Sequence, residues 1–181
     1  MDVSRRRFLT RTASLAAAGG VLAVRSAGTR GGEAVEEVSP ETSYTVHPIG
    51  RVEKKGGTTR LVLFDRFAAG LKGLDGWSHV NVFWWFHKND TPQKRGILQV
   101  HPRGNQKNPL TGVFATRSPV RPNLIALTVC KIVSVEGSVV TLDKIDAFDG
   151  TPVLDLKPLI PPDAPKDGVG VPDWARGGPK K

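Results

Sequence analysis

Apolar and polar residues alternate in short runs along most of residues 44–160, and glycine or proline interrupts the alternation every few residues. The clearest run is residues 79–87. Val80, Val82, Trp84 and Phe86 fall on one face of a strand, and His79, Asn81, Phe83, Trp85 and His87 fall on the other. The first set is core. The second mixes aromatic and polar groups, as expected where a barrel lumen or a dimer contact meets a pocket. Further strands are expected over residues 44–54 and 58–64, joined at Gly56-Gly57, and over residues 96–101 and 113–116. Residues 124–135 and 138–145 form a hairpin around Glu136-Gly137, and residues 153–157 make a last strand before Pro158. Residues 66–73 suit one short helical turn. Short strands with frequent Gly and Pro turns indicate an all-β fold, a small antiparallel β-barrel with short helical turns. There is no βαβ alternation and no Gly-rich phosphate loop after a strand, which excludes a doubly wound nucleotide-binding sheet.

The ends differ from this body. Ser4-Arg5-Arg6-Arg7-Phe8-Leu9 and the weakly apolar stretch from Ala13 to Val24 read as a twin-arginine export signal over residues 1–26. The stretch is shorter than the about 20 apolar residues that a membrane span needs, and a basic tail is the plainer alternative. Residues 27–43 form a flexible spacer, residues 44–160 the barrel domain, and residues 161–181 an extended tail rich in Pro, Gly and charge. The formal charge is +9. The five arginines of residues 1–26, set against Asp2, supply +4 of it, so the body is only modestly basic. That balance is compatible with nucleic acid or small anions and requires neither. Cys130 is the only cysteine, which excludes an intramolecular disulfide or a thiolate metal cluster. In its apolar run it reads as a buried, inert thiol.

Candidate chemistry concentrates in Gly112-Val113-Phe114-Ala115-Thr116-Arg117-Ser118-Pro119-Val120-Arg121-Pro122-Asn123. Pro119 and Pro122 stiffen the turn that carries Arg117 and Arg121. A guanidinium on rigid backbone grips a carboxylate or phosphate through two parallel hydrogen bonds. Asp143, Asp146, Asp149 and Asp155 place four carboxylates within thirteen residues. For Asp149-Gly150 a turn is the simpler reading, and Asp146 equally suits a carboxylate pinning backbone amides. His79 and His87 share a strand face but lie eight residues apart, about 26 Å at roughly 3.3 Å per residue, and so cannot share one ion. No metal-ligand spacing is present among the histidines.

This run resembles the signature of the TsaA-like family, also called TrmO or YaeB-type. The likeness extends from His47-Pro48-Ile49-Gly50 through Gly70-Leu71-Lys72-Gly73-Leu74-Asp75-Gly76-Trp77-Ser78-His79, Trp85-Phe86-His87 and His101-Pro102-Arg103-Gly104 to Asp149-Gly150-Thr151-Pro152-Val153-Leu154-Asp155-Leu156-Lys157-Pro158. The resemblance implies a small, usually dimeric β-barrel. It also implies use of S-adenosylmethionine to methylate N6 of threonylcarbamoyl-adenosine beside the tRNA anticodon. It places cofactor-binding positions at His87, Lys88, Arg117, Leu127, Asp143, Lys144, Ile145 and Asp146. Lys88, Asp143 and Lys144 depart from the family in residue type. With a tRNA acceptor, Arg103, Lys107 and Arg121 are the candidates for phosphate contacts around an unstacked loop base.

Two departures stand out. The Pro-rich insertion that follows the first strand in the tRNA enzymes is missing. The usual Pro-Asn-Pro-Ile-Gly is here Pro122-Asn123-Leu124-Ile125-Ala126, so the backbone after Asn123 need not follow the same path. An export signal also conflicts with the implied chemistry, since neither tRNA nor the cofactor is expected outside the cytoplasm. Three readings follow: an S-adenosylmethionine-dependent methyltransferase whose acceptor is open, an exported barrel that binds a small anionic ligand without catalysis, and a metal-dependent exported enzyme.

Overall fold

The computed structural model describes residue 39, residues 42–161 and residues 170–176. The expected export signal, most of the spacer and most of the tail lie outside the described residues. The chain divides between Thr42 and Ser43. In the first unit the described residues are Ser39 and Thr42, and the Ser39 N–H donates to Thr42 Oγ1 at 3.0 Å. All that follows concerns the second unit. Among the described residues no helix is long and apolar enough to cross a membrane.

Six antiparallel strands close into a barrel: β1 (Gly50–Lys55), β2 (Thr58–Leu63), β3 (His79–Trp85), β6 (Ile125–Glu136), β7 (Val139–Leu142) and β8 (Pro152–Pro158). The order around the barrel is β1-β2-β7-β6-β3-β8, and β8 returns to β1. The short pair β4 (Gln99–Val100) and β5 (Thr111–Gly112) forms a separate two-stranded arm. Closure removes the open sheet edges that would otherwise invite pairing with other chains. The lumen is filled by the inward set of each strand, with Val52, Leu61, Val80, Val82, Val140 and Val153 fully buried. Trp84 joins them, so the alternation in residues 79–87 sorts β3 into core and outer faces as expected.

Several boundaries differ from the sequence reading, each for a physical reason. The first strand starts at Gly50 and not at residue 44, because Tyr44 and Val46 stand exposed before the chain meets the sheet. Residues 96–101 contribute only Gln99–Val100. Residues 113–116 are not a strand: Val113–Ala115 is a 3₁₀ turn. The Val113 carbonyl accepts from Thr116 N at 3.1 Å, Thr116 Oγ1 at 3.0 Å and Arg121 Nη2 at 2.8 Å, so none of it remains for a neighbouring strand. The helical turn over residues 66–73 is a 3₁₀ segment, Asp65–Leu71. In β6 a bulge between Ile132 and Ser134 lets one long strand serve β3 with its first half and β7 with its second.

Gly50 marks the tightest backbone approach. A Cβ there would lie 2.7 Å from Leu63 Cα and would overlap the Val62 carbonyl, both on the paired strand β2. Gly50→Ala is therefore expected to cost about 2–3 kcal/mol through overpacking. Denaturant unfolding would read this as a lowered midpoint, and an unchanged midpoint would show that the β1–β2 pair is not this close.

Candidate functional site

The Arg117 loop is fastened from both ends. Arg121 donates its Nη2 to the carbonyls of Val113 at 2.8 Å and Thr116 at 3.1 Å. At the far end Arg95 Nη1 donates to the Pro122 carbonyl at 2.9 Å. Arg95 is itself fixed: its Nε donates to Asp90 Oδ1 at 2.8 Å, and Asp90 Oδ2 accepts from Trp85 Nε1 at 3.0 Å. Leu124 follows in a left-handed conformation, φ 46°, with its side chain fully buried and its carbonyl accepting from Phe86 N. Proline, fixed near φ −65°, has no access to that conformation. The loop path after Asn123 is therefore closed to proline at position 124.

Hydrogen bonds from Arg95 first, then from Trp85, hold the Asp90 carboxyl below its usual value of 3.8. A depressed carboxylate stabilises the fold above its unfolded value, and the contribution is lost as pH falls through the folded value. Asp90→Asn is expected to melt below the wild type at neutral pH, and the gap should close below about pH 3.8. Thermal melts across that range check it; a constant gap would mean that the charge is not what matters.

Beside this loop lies a cavity of about 290 Å³, lined by Phe83, Trp84, Phe86, Arg117, Arg121, Ile125, Ala126, Leu127, Thr128 and Asp146. Its walls are mainly apolar, and its polar groups form a directed chain. The Trp84 indole N–H donates to Thr128 Oγ1 at 3.0 Å, and Thr128 Oγ1 donates to Asp146 Oδ1 at 2.5 Å. An indole nitrogen is only a donor. Thr128 therefore accepts from it and gives its own proton to Asp146, whose oxygen is kept as an acceptor. Arg117 is exposed on the rim and makes no hydrogen bond or ion pair among the described residues. Arg121 Nε is buried without a partner on the same wall. An acceptor group entering here would meet one unspent guanidinium, that of Arg117, whereas the Arg121 Nε–H is closed off.

Of the expected cofactor positions, the structure brings Arg117, Leu127 and Asp146 together in this cavity and leaves five others outside its lining. His87 opens a 3₁₀ turn, His87–Asn89, half-buried. Lys88 Nζ sits 3.9 Å over the Phe148 ring. Asp143 extends the β6–β7 ladder, with Oδ1 accepting from Lys131 N at 3.0 Å and its own N–H donating to Lys131 O. Lys144 is exposed, and Ile145 belongs to the core, its carbonyl accepting from Lys54 Nζ. Among the phosphate candidates, Arg103 and Lys107 are exposed on the β4–β5 arm, whereas Arg121 is turned inward onto backbone carbonyls. Asp149 behaves as a turn residue: Gly150 has φ 73°, and Asp149 Oδ1 accepts from Lys54 N at 2.8 Å. Cys130 is buried, and its thiol is pushed up to about 12 by burial first and then by the Asp143 and Asp146 carboxylates. Among the described residues no three His, Cys, Asp or Glu side chains gather as a metal site would need.

A larger cavity of about 350 Å³ lies elsewhere, under the segment Gly70 to Leu74 and Trp77. Its charged side chains are Lys72 and Asp155, and Asp155 is engaged with Lys157 at 3.2 Å. The smaller cavity holds the unspent arginine and the locked carboxylate, so it is the better candidate for chemistry despite its size. Thr128, Trp84 and the apolar wall of Phe83, Phe86, Ile125 and Ala126 have no residue type or spacing that marks them as site residues. Alternation in residues 79–87 marks Trp84 as core, which it is, and says nothing of its N–H.

The chain is 50% identical over 114 residues to a probable S-adenosyl-L-methionine-binding protein of Methanocaldococcus jannaschii, covering 63% of this chain and 90% of that protein. It is 47% identical over 98 residues to the mouse tRNA (adenine(37)-N6)-methyltransferase, covering 54% of this chain but only 22% of that protein. The crystal structure of TrmO from Pseudomonas aeruginosa superposes with a TM-score of 0.54 at 30% identity, over 72% of this chain and 64% of that one. Residues 39–163 match the family described as the tRNA-methyltransferase O N-terminal domain. With the closed barrel and the arginine loop on its rim, that match over more than half the chain shows that this protein belongs to the tRNA-methyltransferase O N-terminal domain family.

Proposed function

We propose that the 290 Å³ cavity binds S-adenosylmethionine and that the protein is a methyltransferase acting on an adenine N6 of RNA. The observation that carries this reading is the pairing, in one cavity, of an unspent guanidinium with a carboxylate whose acceptor state is fixed by Thr128. The cofactor's carboxylate suits Arg117, and its ammonium or ribose hydroxyls suit the free oxygen of Asp146. The apolar walls suit its adenine. When bound, the cofactor supplies an electrophilic methyl group on sulfur. The residues themselves align and do not overstabilise: no carboxylate other than Asp146 lines the cavity, so the positive sulfur is not held too tightly. The names of the relatives support both cofactor and acceptor. Incubation with methyl-labelled S-adenosylmethionine and undermodified tRNA tests the proposal. Label in an N6-methylated adenosine supports it, and label-free RNA with a bound cofactor sinks the RNA half.

A second reading, a barrel that binds a small anion without catalysis, draws on two observations. Gly56-Gly57 joins β1 to β2 directly, with no insertion to cover the site, and the cavity sits at the lower edge of the about 300 Å³ that pockets for drug-sized ligands occupy. A second copy is a natural cover. Ile125, Leu127, Val129 and Val133 stand exposed along the outer face of β6, and we propose a homodimer through this face. Light scattering of a Val133→Lys variant tests it. Export by the twin-arginine route remains the proposal for residues 1–26, and fusion to a reporter that requires folded export decides it. A cytoplasmic reporter would remove the conflict with a tRNA acceptor.

A further inference from the structure

We infer that the turn over residues 101–108 is a preformed phosphate-binding arm for the RNA strand and that Arg103 is its contacting group. The inference rests on the RNA reading above. It starts from a backbone conformation. Gly104 N donates to the His101 carbonyl at 3.0 Å, which closes a turn with Pro102 at its second position and Arg103 at its third. Arg103 has φ 61° and ψ 19°, in the left-handed region. The third position of a Pro-led turn with positive φ is where glycine or asparagine is the low-energy choice. Glycine stands one residue later, at Gly104 with φ 64°. The chain thus keeps strain that glycine would remove, and the fold draws nothing from the side chain in return. Arg103 is exposed and makes no hydrogen bond or ion pair among the described residues.

The turn is also rigid. His101 Nδ1 bonds the Asn108 carbonyl at 2.8 Å, Asn108 Nδ2 donates to the Pro102 carbonyl at 2.8 Å, and Lys107 N donates to Asn105 Oδ1 at 3.1 Å. Pro102 is buried beneath. The backbone that carries Arg103 is thus already ordered, and binding has only the side-chain rotamers left to fix. The platform is continuous with the cavity rim: Val113 N donates to Leu98 O at 2.9 Å, and Arg121 grips the Val113 carbonyl. Arg103 lies five residues beyond Leu98, at most about 16 Å of chain. The arm and the loop that carries Arg117 are therefore joined through the Leu98–Val113 bond.

Charge identifies the partner. From Thr91 to Val135 the sequence holds seven cationic side chains, Lys94, Arg95, Arg103, Lys107, Arg117, Arg121 and Lys131, and no carboxylate. Arg95 and Arg121 are committed to the loop, while Arg103 and Lys107 face solvent on the arm. A one-sign segment that carries the arm and the rim suits a polyanionic strand better than a mixed-charge protein surface.

The test uses the full chain and a labelled anticodon stem-loop RNA, with affinity measured at several salt concentrations. Arg103→Gly and Arg103→Ala are expected to weaken RNA binding about three- to tenfold and to flatten the log–log salt slope by about 0.7–1, as for one lost phosphate contact. Arg103→Lys should keep the slope, and affinity for S-adenosylmethionine should stay unchanged in all three. Arg103→Gly should melt at or above the wild-type temperature, because it removes the strain together with the charge. Wild-type affinity and slope in Arg103→Gly would overturn the arm, and so would a lowered melting temperature, which would make Arg103 structural. A wild type that binds the cofactor but no RNA overturns the arm and leaves the cofactor site standing. Arg103-dependent RNA binding without cofactor binding does the reverse.

Discussion

Arg117→Ala lowers affinity for S-adenosylmethionine about 10- to 100-fold and leaves thermal stability where it is. The two halves of this expectation have one cause. In the absence of a ligand the Arg117 guanidinium touches no acceptor among the described residues and stands exposed on the cavity rim. Removing an exposed, unbonded side chain changes stability by no more than about 0.5 kcal/mol. With a ligand present, the same group makes a charge-assisted hydrogen-bond pair worth about 1.5–3 kcal/mol, which is the stated range of affinity. Arg117→Lys should fall between the two, because it keeps the charge and loses the planar fork. Titration calorimetry with matched thermal melts reads both. Loss of binding together with loss of stability would mean that Arg117 is a folding residue and not a ligand anchor.

Arg121→Met behaves in the opposite manner: it destabilises the fold by about 1–2 kcal/mol and weakens cofactor binding about tenfold as a consequence. Arg121 Nη2 is shared between the carbonyls of Val113 and Thr116, and Val113 is fully buried. Methionine fills a similar volume and donates nothing, so these carbonyls lose their charged donor. The loss is partly offset because Arg121 Nε is already buried without a partner, and methionine removes that penalty. The melting temperature is expected to fall by about 2–8 °C. Binding weakens because the turn that presents Arg117 is no longer fastened at its Val113 end. A stable Arg121→Met protein that has lost binding outright would instead make Arg121 a direct ligand group.

The barrel was largely legible in the sequence because β-strands advertise themselves by period. The alternation of Val80, Val82 and Trp84 against Asn81, Phe83 and Trp85 is the pleat of β3 itself, and turn glycines such as Gly56-Gly57 and Gly137 separate paired strands, although Glu136 itself still pairs with Val139 and the second turn is Gly137-Ser138. The arginine loop was legible in kind but not in conformation. Val113 to Thr116 alternates like a strand, yet long-range bonds from Arg121 decide its shape, and no local pattern reports them. The site divided along the same line. Arg117 and Asp146 carry chemistry in their residue type and stand where that chemistry is needed. Thr128 and Trp84 matter because β3 and β6 bring residues 44 positions apart within 3.0 Å, a fact of strand register. Arg121 shows the converse. Its residue type suggested a phosphate contact, and the fold spends it on holding its own backbone.

Entry of the cofactor into the cavity under Arg117 can be read directly at two of the four tryptophans. Trp84 lines this cavity and donates its indole N–H to Thr128, whereas Trp77 lines the larger cavity on the Gly70 to Leu74 segment. In two-dimensional NMR of the indole N–H groups, S-adenosylmethionine is expected to shift the Trp84 resonance and leave Trp77 in place. A shift at Trp77 with Trp84 unmoved would put the ligand in the other cavity and rule out the site under Arg117.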